Sequence, residues 1–278
     1  MEITPQSPSP ARRAARTGTA RTRTARTRVA RTLAGAAALA GLVAAYAPSI
    51  AHAETPTPTA QTPTPTASVT MPPALTDFSD CPALPAGVDP AAWRCEIHLA
   101  TPQLRIGAIS VPALAPITMT HAEGLLPDGT RAQVWGAMHS APTTVPGGLL
   151  GAPAGDHAPL LGLTVQPEYG DRSDFYTGQF SLRFRLRSPL LPQGCTIGAS
   201  APVDFRLKRS GPSEWVSRTP PLVRFSAYDD AFTAPAAEGC GPLAGLLNQR
   251  LGLPASSGNL MTYDASYTFK TYDQLSVR

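Results

Sequence analysis

The side chains able to do chemistry in this chain are thinly spread. His98, His121, His139 and His157 occur one at a time, without the close spacings that zinc sites use. His121 is the best placed. In ITMTHAE it alternates with Ile117, Met119 and Glu123, so in an extended chain all four side chains share one face. Such a His–Glu pair suits a general-base dyad, or else a satisfied polar pair at the rim of a core. The core-rim reading is preferred here. A deep pocket gathering His121 with Glu123 or another carboxylate would favour the dyad.

Two groups of carboxylates invite the same scrutiny. Glu168, Asp171 and Asp174 in PEYGDRSDF could offer oxygen to calcium, but Arg172 stands among them and a solvated turn accounts for the segment. Asp229 and Asp230 are neighbours; extended, they face opposite ways and cannot act together on one bond. The chain has no Gly-x-Ser-x-Gly elbow, no His-Glu-x-x-His, no phosphate-binding glycine loop and no EF-hand loop. No catalytic residue, metal ligand or cofactor is assigned from these patterns.

One surface feature stands out. In FSLRFRLR, Arg183, Arg185 and Arg187 alternate with Phe180, Leu182, Phe184 and Leu186. Guanidinium groups at alternate strand positions lie about 7 Å apart, a spacing that could meet an anionic polymer of the cell envelope. The alternative is a water-facing row paired with acids on the next strand.

The elements that would hold these residues are mostly strands. FSLRFRLR and VDFRLKR, the latter with Val203, Phe205 and Leu207 inward, read as half-buried strands. ITMTHAE, AQVWGAM, LGLTVQ, PLVRFSAY and YDASYTFK are further candidates, and Asp128-Gly129 between the first two marks a hairpin. CGPLAGLLNQRLGLP reads as a helix: Leu243, Leu246, Leu247 and Leu251 follow its spacing, Pro242 suits its first turn, and Gly252 with Pro254 ends it. The expected fold is mainly β, an antiparallel sandwich-like domain with one short helix in its C-terminal third.

Before this domain the composition changes twice. Leu33 to Ala47 is an uncharged apolar run, long enough for a signal h-region and short of the roughly twenty residues that span a bilayer. Ala51-His52-Ala53 follows as a small-x-small cleavage site, so 1–53 is read as a signal peptide with an Ala-Arg-Thr low-complexity leader. Residues 54–76 are rich in Thr-Pro repeats and are expected to form an extended stalk. The domain is expected over 77–278.

Charge follows the same boundary. The whole chain is formally +4, with 23 basic and 19 acidic residues; taking away the eight arginines and one glutamate of 1–53 leaves 15 and 18, a net −3. A nucleic-acid partner needs a basic excess that this remainder lacks, and membrane contact is expected only during export. The four cysteines, Cys81, Cys95, Cys195 and Cys240, all lie in the domain. An even number in an exported chain implies two disulfides. Of three pairings, Cys81–Cys95 with Cys195–Cys240 is preferred, because the first pair frames the short loop CPALPAGVDPAAWRC.

CTIG at Cys195, DDAFTAPAAEGCGPL at Asp229 and LGLPASSGN at Leu251 resemble a family of small exported actinobacterial proteins. CPALPAGVDPAAWRC and ITMTHAEG are similar to some of its members too. The resemblance implies export and the Cys195–Cys240 pairing, and carries no catalytic residue across. The sequence thus points to a secreted or envelope-associated, non-enzymatic binding or structural module. Its rivals are a secreted hydrolase and an extracellular lipid- or glycan-binding protein. The last would show a hollow apolar sandwich, or exposed aromatic residues around Trp135, Trp215 or Tyr176.

Overall fold

The computed structural model describes residues 70–151 and 159–275. The signal segment, the stalk up to residue 69 and His157 lie outside the described residues. In chain order the first strands are β1 (Arg94–Ile106), β2 (Ile109–Val111), β3 (Ile117–Leu125), β4 (Arg131–Ser140), β5 (Thr143–Thr144), β6 (Thr164–Asp174) and β7 (Gln179–Arg187). There follow β8 (Thr196–Ile197), β9 (Val203–Arg206), β10 (Lys208–Arg209), β11 (Glu214–Arg218), β12 (Pro221–Asp229), β13 (Ala237–Glu238), helix α1 (Ala244–Leu251) and β14 (Leu260–Thr271).

Two sheets result. The first runs β10-β12-β14-β1-β3-β4, with β11 on β12 and β2 on β1; the second runs β13-β8-β7-β6-β5, with β9 on β7. These pairings are antiparallel. The fold class expected from the sequence is the one observed: mainly antiparallel β in two sheets, one α-helix among the described residues, and disulfides Cys81–Cys95 and Cys195–Cys240.

The central strand, β1, is the longest of those that the sequence reading did not reveal. Cys95, Glu96, Ile97 and His98 are all buried, so this half of β1 is covered on both faces. The inner face looks toward the second sheet. Behind it, Leu75 has no exposure and packs with Ile97 and Leu222, with Met71, Phe78 and Leu99 around them. The Cys81–Cys95 bond fastens this cover to β1. The folded domain therefore begins before Asp77: residues 70–76, assigned to the stalk by composition, belong to the cover.

Elsewhere the alternation holds. Leu182, Phe184 and Leu186 of β7 are buried, as are Val203 and Phe205 of β9, whereas Leu207 is only half-buried. Burial of α1 rests on Leu247 and Leu251, while Leu246 is exposed. The Asn248 side chain accepts from Ala237 N at 2.7 Å and donates to Ala237 O at 3.0 Å, clamping α1 to β13. The second disulfide ties the entry to α1 to the start of β8. Here Gly239 has φ 68°, and a Cβ would sit 2.6 Å from Gly194 O, so glycine alone lets the two segments approach.

The motifs of the C-terminal third act as framework. Buried Asn259 donates to Phe232 O and Ala255 O and accepts from Gly107 N. Asp229 accepts from Arg206 N and Ala231 N, while Asp230 pairs with Lys208 on the surface. The two aspartates are split as their adjacency required.

The disulfides span 14 and 45 residues, loops whose closure stabilises by about 3 and about 4 kcal/mol in the chain-entropy account. Equilibrium urea unfolding of Cys81→Ala/Cys95→Ala and Cys195→Ala/Cys240→Ala should show losses of that order. Unchanged midpoints would contradict it.

Candidate functional site

The inner face of β1 and β3 gathers an unusual set of polar side chains. Register sets Arg94 opposite Glu123 and Glu96 opposite His121, while His98 pairs with Met119 on one side and Tyr267 on the other. With a two-residue period, Arg94, Glu96, His98, His121 and Glu123 all fall on one face. Arg94, Glu96, His98 and Glu123 line a cavity of about 770 Å³ between the sheets. His121 lies just behind this wall under the ring of Phe175, which stacks on it at 3.8 Å and 4°.

The contacts form a connected cluster. Arg94 is hydrogen-bonded to Glu123 Oε1 and stands 2.7 Å from Glu96 Oε1. Both second oxygens turn toward the imidazoles. Glu96 Oε2 is 3.2 Å from His98 Nε2 and 3.9 Å from His121 Nε2, and Glu123 Oε2 is 3.6 Å from His121 Nε2. Neither ring nitrogen of His121 has a hydrogen-bond partner among the described residues, although His121 is 1% exposed. Glu96, His98 and His121 thus present one donor atom each, all within 4.8 Å of one another. These are residue types that ligate transition metals.

Electrostatics follow from burial and from Arg94. Burial pushes the His98 imidazole below its ordinary value, against the opposing pull of Glu96, so the ring is neutral at pH 7. Burial also raises Glu123, but the His121 ring and the Arg94 guanidinium outweigh it and hold the carboxyl at about 2. Arg94 thereby neutralises part of a doubly acidic cluster in a poorly solvated space.

Three devices aim the cluster. Gln133 donates to Glu123 Oε2 and accepts from Phe175 N, which fixes the ring over His121. Tyr267 stacks on His98 at 5.1 Å. The third is a bulge: β3 and β4 shift register between Met119 and His121. Within it, Thr120 Oγ1 donates to Asp80 O at 2.8 Å and accepts from Ala137 N at 2.9 Å. Gly136 makes this possible, since a Cβ there would lie 2.4 Å from Thr120 Oγ1 and 2.6 Å from Asp80 O. Through Asp80 and its neighbour Cys81, the disulfide-held cover reaches the strand that carries His121.

Aromatic side chains share the rest of the cavity wall with polar ones, Arg131, Asp174, Gln179 and Arg209 among them. Trp135 stacks on Tyr169 at 3.8 Å, and Phe180, Phe225 and Tyr267 add further surface. Tyr263 Oη is buried without a hydrogen-bond partner among the described residues, and burial pushes its pKa far up. Tyr176, at the edge, is 47% exposed.

The other sequence candidates are used elsewhere. Arg183 pairs with Asp171 at 2.6 Å, and Arg185 makes a two-pronged contact with Glu168 at 2.5 and 2.9 Å. Two members of the expected anion-binding row are thus matched with acids of β6, leaving Arg187 exposed at the strand end; the paired-row alternative describes this face. Asp174 accepts from Tyr176 N and Thr177 N, and Arg172 pairs with Asp204; PEYGDRSDF, expected as a solvated turn, is instead, up to Asp174, the second half of β6, with a register shift against β7 between Tyr169 and Ser173. His139 is exposed and pairs with Asp80. Trp215 is exposed, 4.9 Å from the Arg218 guanidinium.

Sequence reasoning found His121 and Glu123 and missed Glu96 and His98. A signal was present in CEIHL, where Glu96 and His98 alternate with Cys95, Ile97 and Leu99. Compared with known proteins, the chain matches no family model, no curated protein and no solved structure. Function is therefore argued from the site.

Gly136→Ala should lower stability by about 1–3 kcal/mol, the usual cost of forcing atoms into a packed position. Thermal unfolding followed by circular dichroism reads it; a variant melting with the wild type would contradict the aiming role of the bulge.

Proposed function

We propose that this protein is an exported ligand-binding module whose cavity takes a mainly apolar small molecule with one polar end. The observation that carries the reading is the cavity itself. A space of about 770 Å³ between the sheets lies within the roughly 300–1,000 Å³ usual for small-molecule sites, and it combines aromatic surface with polar groups gathered around Glu96. The hollow sandwich is the feature expected of a lipid or glycan binder, and the aromatic planes favour a flat or branched apolar body.

Export belongs to the proposal. It is supported by the signal-like segment 1–53, by the resemblance to exported actinobacterial proteins and by two disulfides, which persist in oxidising compartments. No helix among the described residues is long and apolar enough to cross a membrane.

A second reading, a secreted hydrolase, is favoured by the approach of His121 to Glu123 and Glu96 beside the cavity, at 3.6 and 3.9 Å. Turnover of nitrophenyl esters or glycosides that vanished in Glu96→Gln would select it.

For the binding reading, the purified chain should take up one anilinonaphthalene sulfonate per molecule, with enhanced probe fluorescence. Ala227, buried in the cavity wall, offers the control. Ala227→Phe should weaken the probe at least about tenfold while Trp215→Ala leaves it unchanged. Equal binding by all three proteins would sink the proposal.

A further inference from the structure

We propose that Glu96, His98 and His121 form a site for a divalent transition-metal ion of the zinc class at the polar end of the cavity. The site goes beyond ligand binding by the aromatic wall and stands or falls separately from it.

The donor set comes first. Two imidazoles and one carboxylate are a set that zinc accepts, with a further position left for water or a ligand. Soft thiolate ligands are lacking, because all four cysteines are in disulfides. The chemistry therefore favours a borderline cation over a copper(I)-type ion.

Geometry is the second support. Tetrahedral bonds of 2.0–2.1 Å place neighbouring ligand atoms about 3.3 Å apart. Here Glu96 Oε2 stands 3.2 Å from His98 Nε2 and 3.9 Å from His121 Nε2, and all three donors lie within 4.8 Å. Small side-chain rotations close that triangle around an ion. The backbone supplies the preorganisation, since Glu96 and His121 are directly paired across two central strands and His98 follows at the next inward position.

The third support is His121 itself. It is almost fully buried, neither nitrogen is hydrogen-bonded among the described residues, and Nε2 faces Glu96 and Glu123. Burying an imidazole without a partner is unfavourable, and ligation through Nε2 offsets that cost. Arg94 completes the arrangement by occupying Oε1 of Glu96 and of Glu123, so that each carboxylate presents Oε2 to the rings. Two carboxylates stand against one guanidinium, a balance that suits a dication. Glu123 Oε2, 3.6 Å from the same His121 Nε2, sets a second carboxylate oxygen beside the ion. Because Glu96 and His98 line the cavity, the remaining coordination position faces the space where a small molecule would sit.

The test uses the full chain with both disulfides formed, stripped by chelator and titrated with Zn²⁺ alone against a chromophoric chelator, then with Co²⁺. One ion per chain and the intense visible bands of four-coordinate Co²⁺ are expected. Glu96→Gln, His98→Gln and His121→Gln should each weaken Zn²⁺ by more than about 100-fold, beyond the roughly 10–100-fold that follows loss of an outer partner. His139→Gln, at an exposed histidine, should bind as wild type. Circular dichroism melts in chelator establish that each variant is folded. If His121→Gln does not fold, Glu96→Gln and His98→Gln decide. Absence of stoichiometric Zn²⁺, undiminished binding by the folded cluster variants, or an equal loss in His139→Gln would overturn the site. Anilinonaphthalene sulfonate binding, measured in chelator, reports on the cavity separately.

Discussion

The register of β1 against β3 is the constraint from which the site follows. Pairing Glu96 with His121 and Arg94 with Glu123 puts five ionisable side chains on the inward face of two central strands. A slip of one residue would reverse every side chain and turn Cys95 and Ile97 into the cavity. What prevents the slip is burial on both sides. The apolar set behind β1 includes Ile97 with Leu75 and Leu222, and the Cys81–Cys95 bond holds the covering segment in place. The inward face can then be polar without losing its position, because the outward face supplies the apolar contact that fixes it.

This arrangement sets stability against function in a small space. Sandwiches are held by apolar side chains from both inner faces, and the far end of this one obeys that rule with Leu182, Phe184, Leu186 and Phe205. The end at Glu96 departs from it. There, Arg94 bridges two carboxylates, Phe175 covers His121 and Tyr263 keeps a hydroxyl unpaired among the described residues. Replacing such a cluster by apolar residues is often neutral or stabilising. Its presence is therefore more readily explained by what it binds than by what it holds together. The disulfides and framework residues Asn248, Asn259 and Asp229 offset the local cost by fixing loops around the sandwich.

Much of the fold was legible because water-facing strands leave a period of two. FSLRFRLR showed its inward Leu182, Phe184 and Leu186 without ambiguity, and CGPLAGLLNQRLGLP showed its helix, though Leu246 faces solvent. The site was only half legible. CEIHL alternates polar Glu96 and His98 with Cys95, Ile97 and Leu99, but its polar face is buried in the site rather than turned to water, so the histidines read as isolated. Their association is long-range: His98 and His121 meet through β1–β3 pairing, and no spacing along the chain encodes that distance. The cover was missed similarly, since a Pro-rich composition described the start of the segment while Leu75 decided where it packs.

Nuclear Overhauser contacts in the folded chain test the central claim most directly. With the β1–β3 register described, the His121 ring protons should show cross-peaks to the Phe175 ring and to the Glu96 side chain, while Ile97 shows cross-peaks to Leu75. Cross-peaks from His121 to Leu75 or Leu222, with Ile97 instead contacting Phe175, would place the polar set on the wrong face and contradict the account.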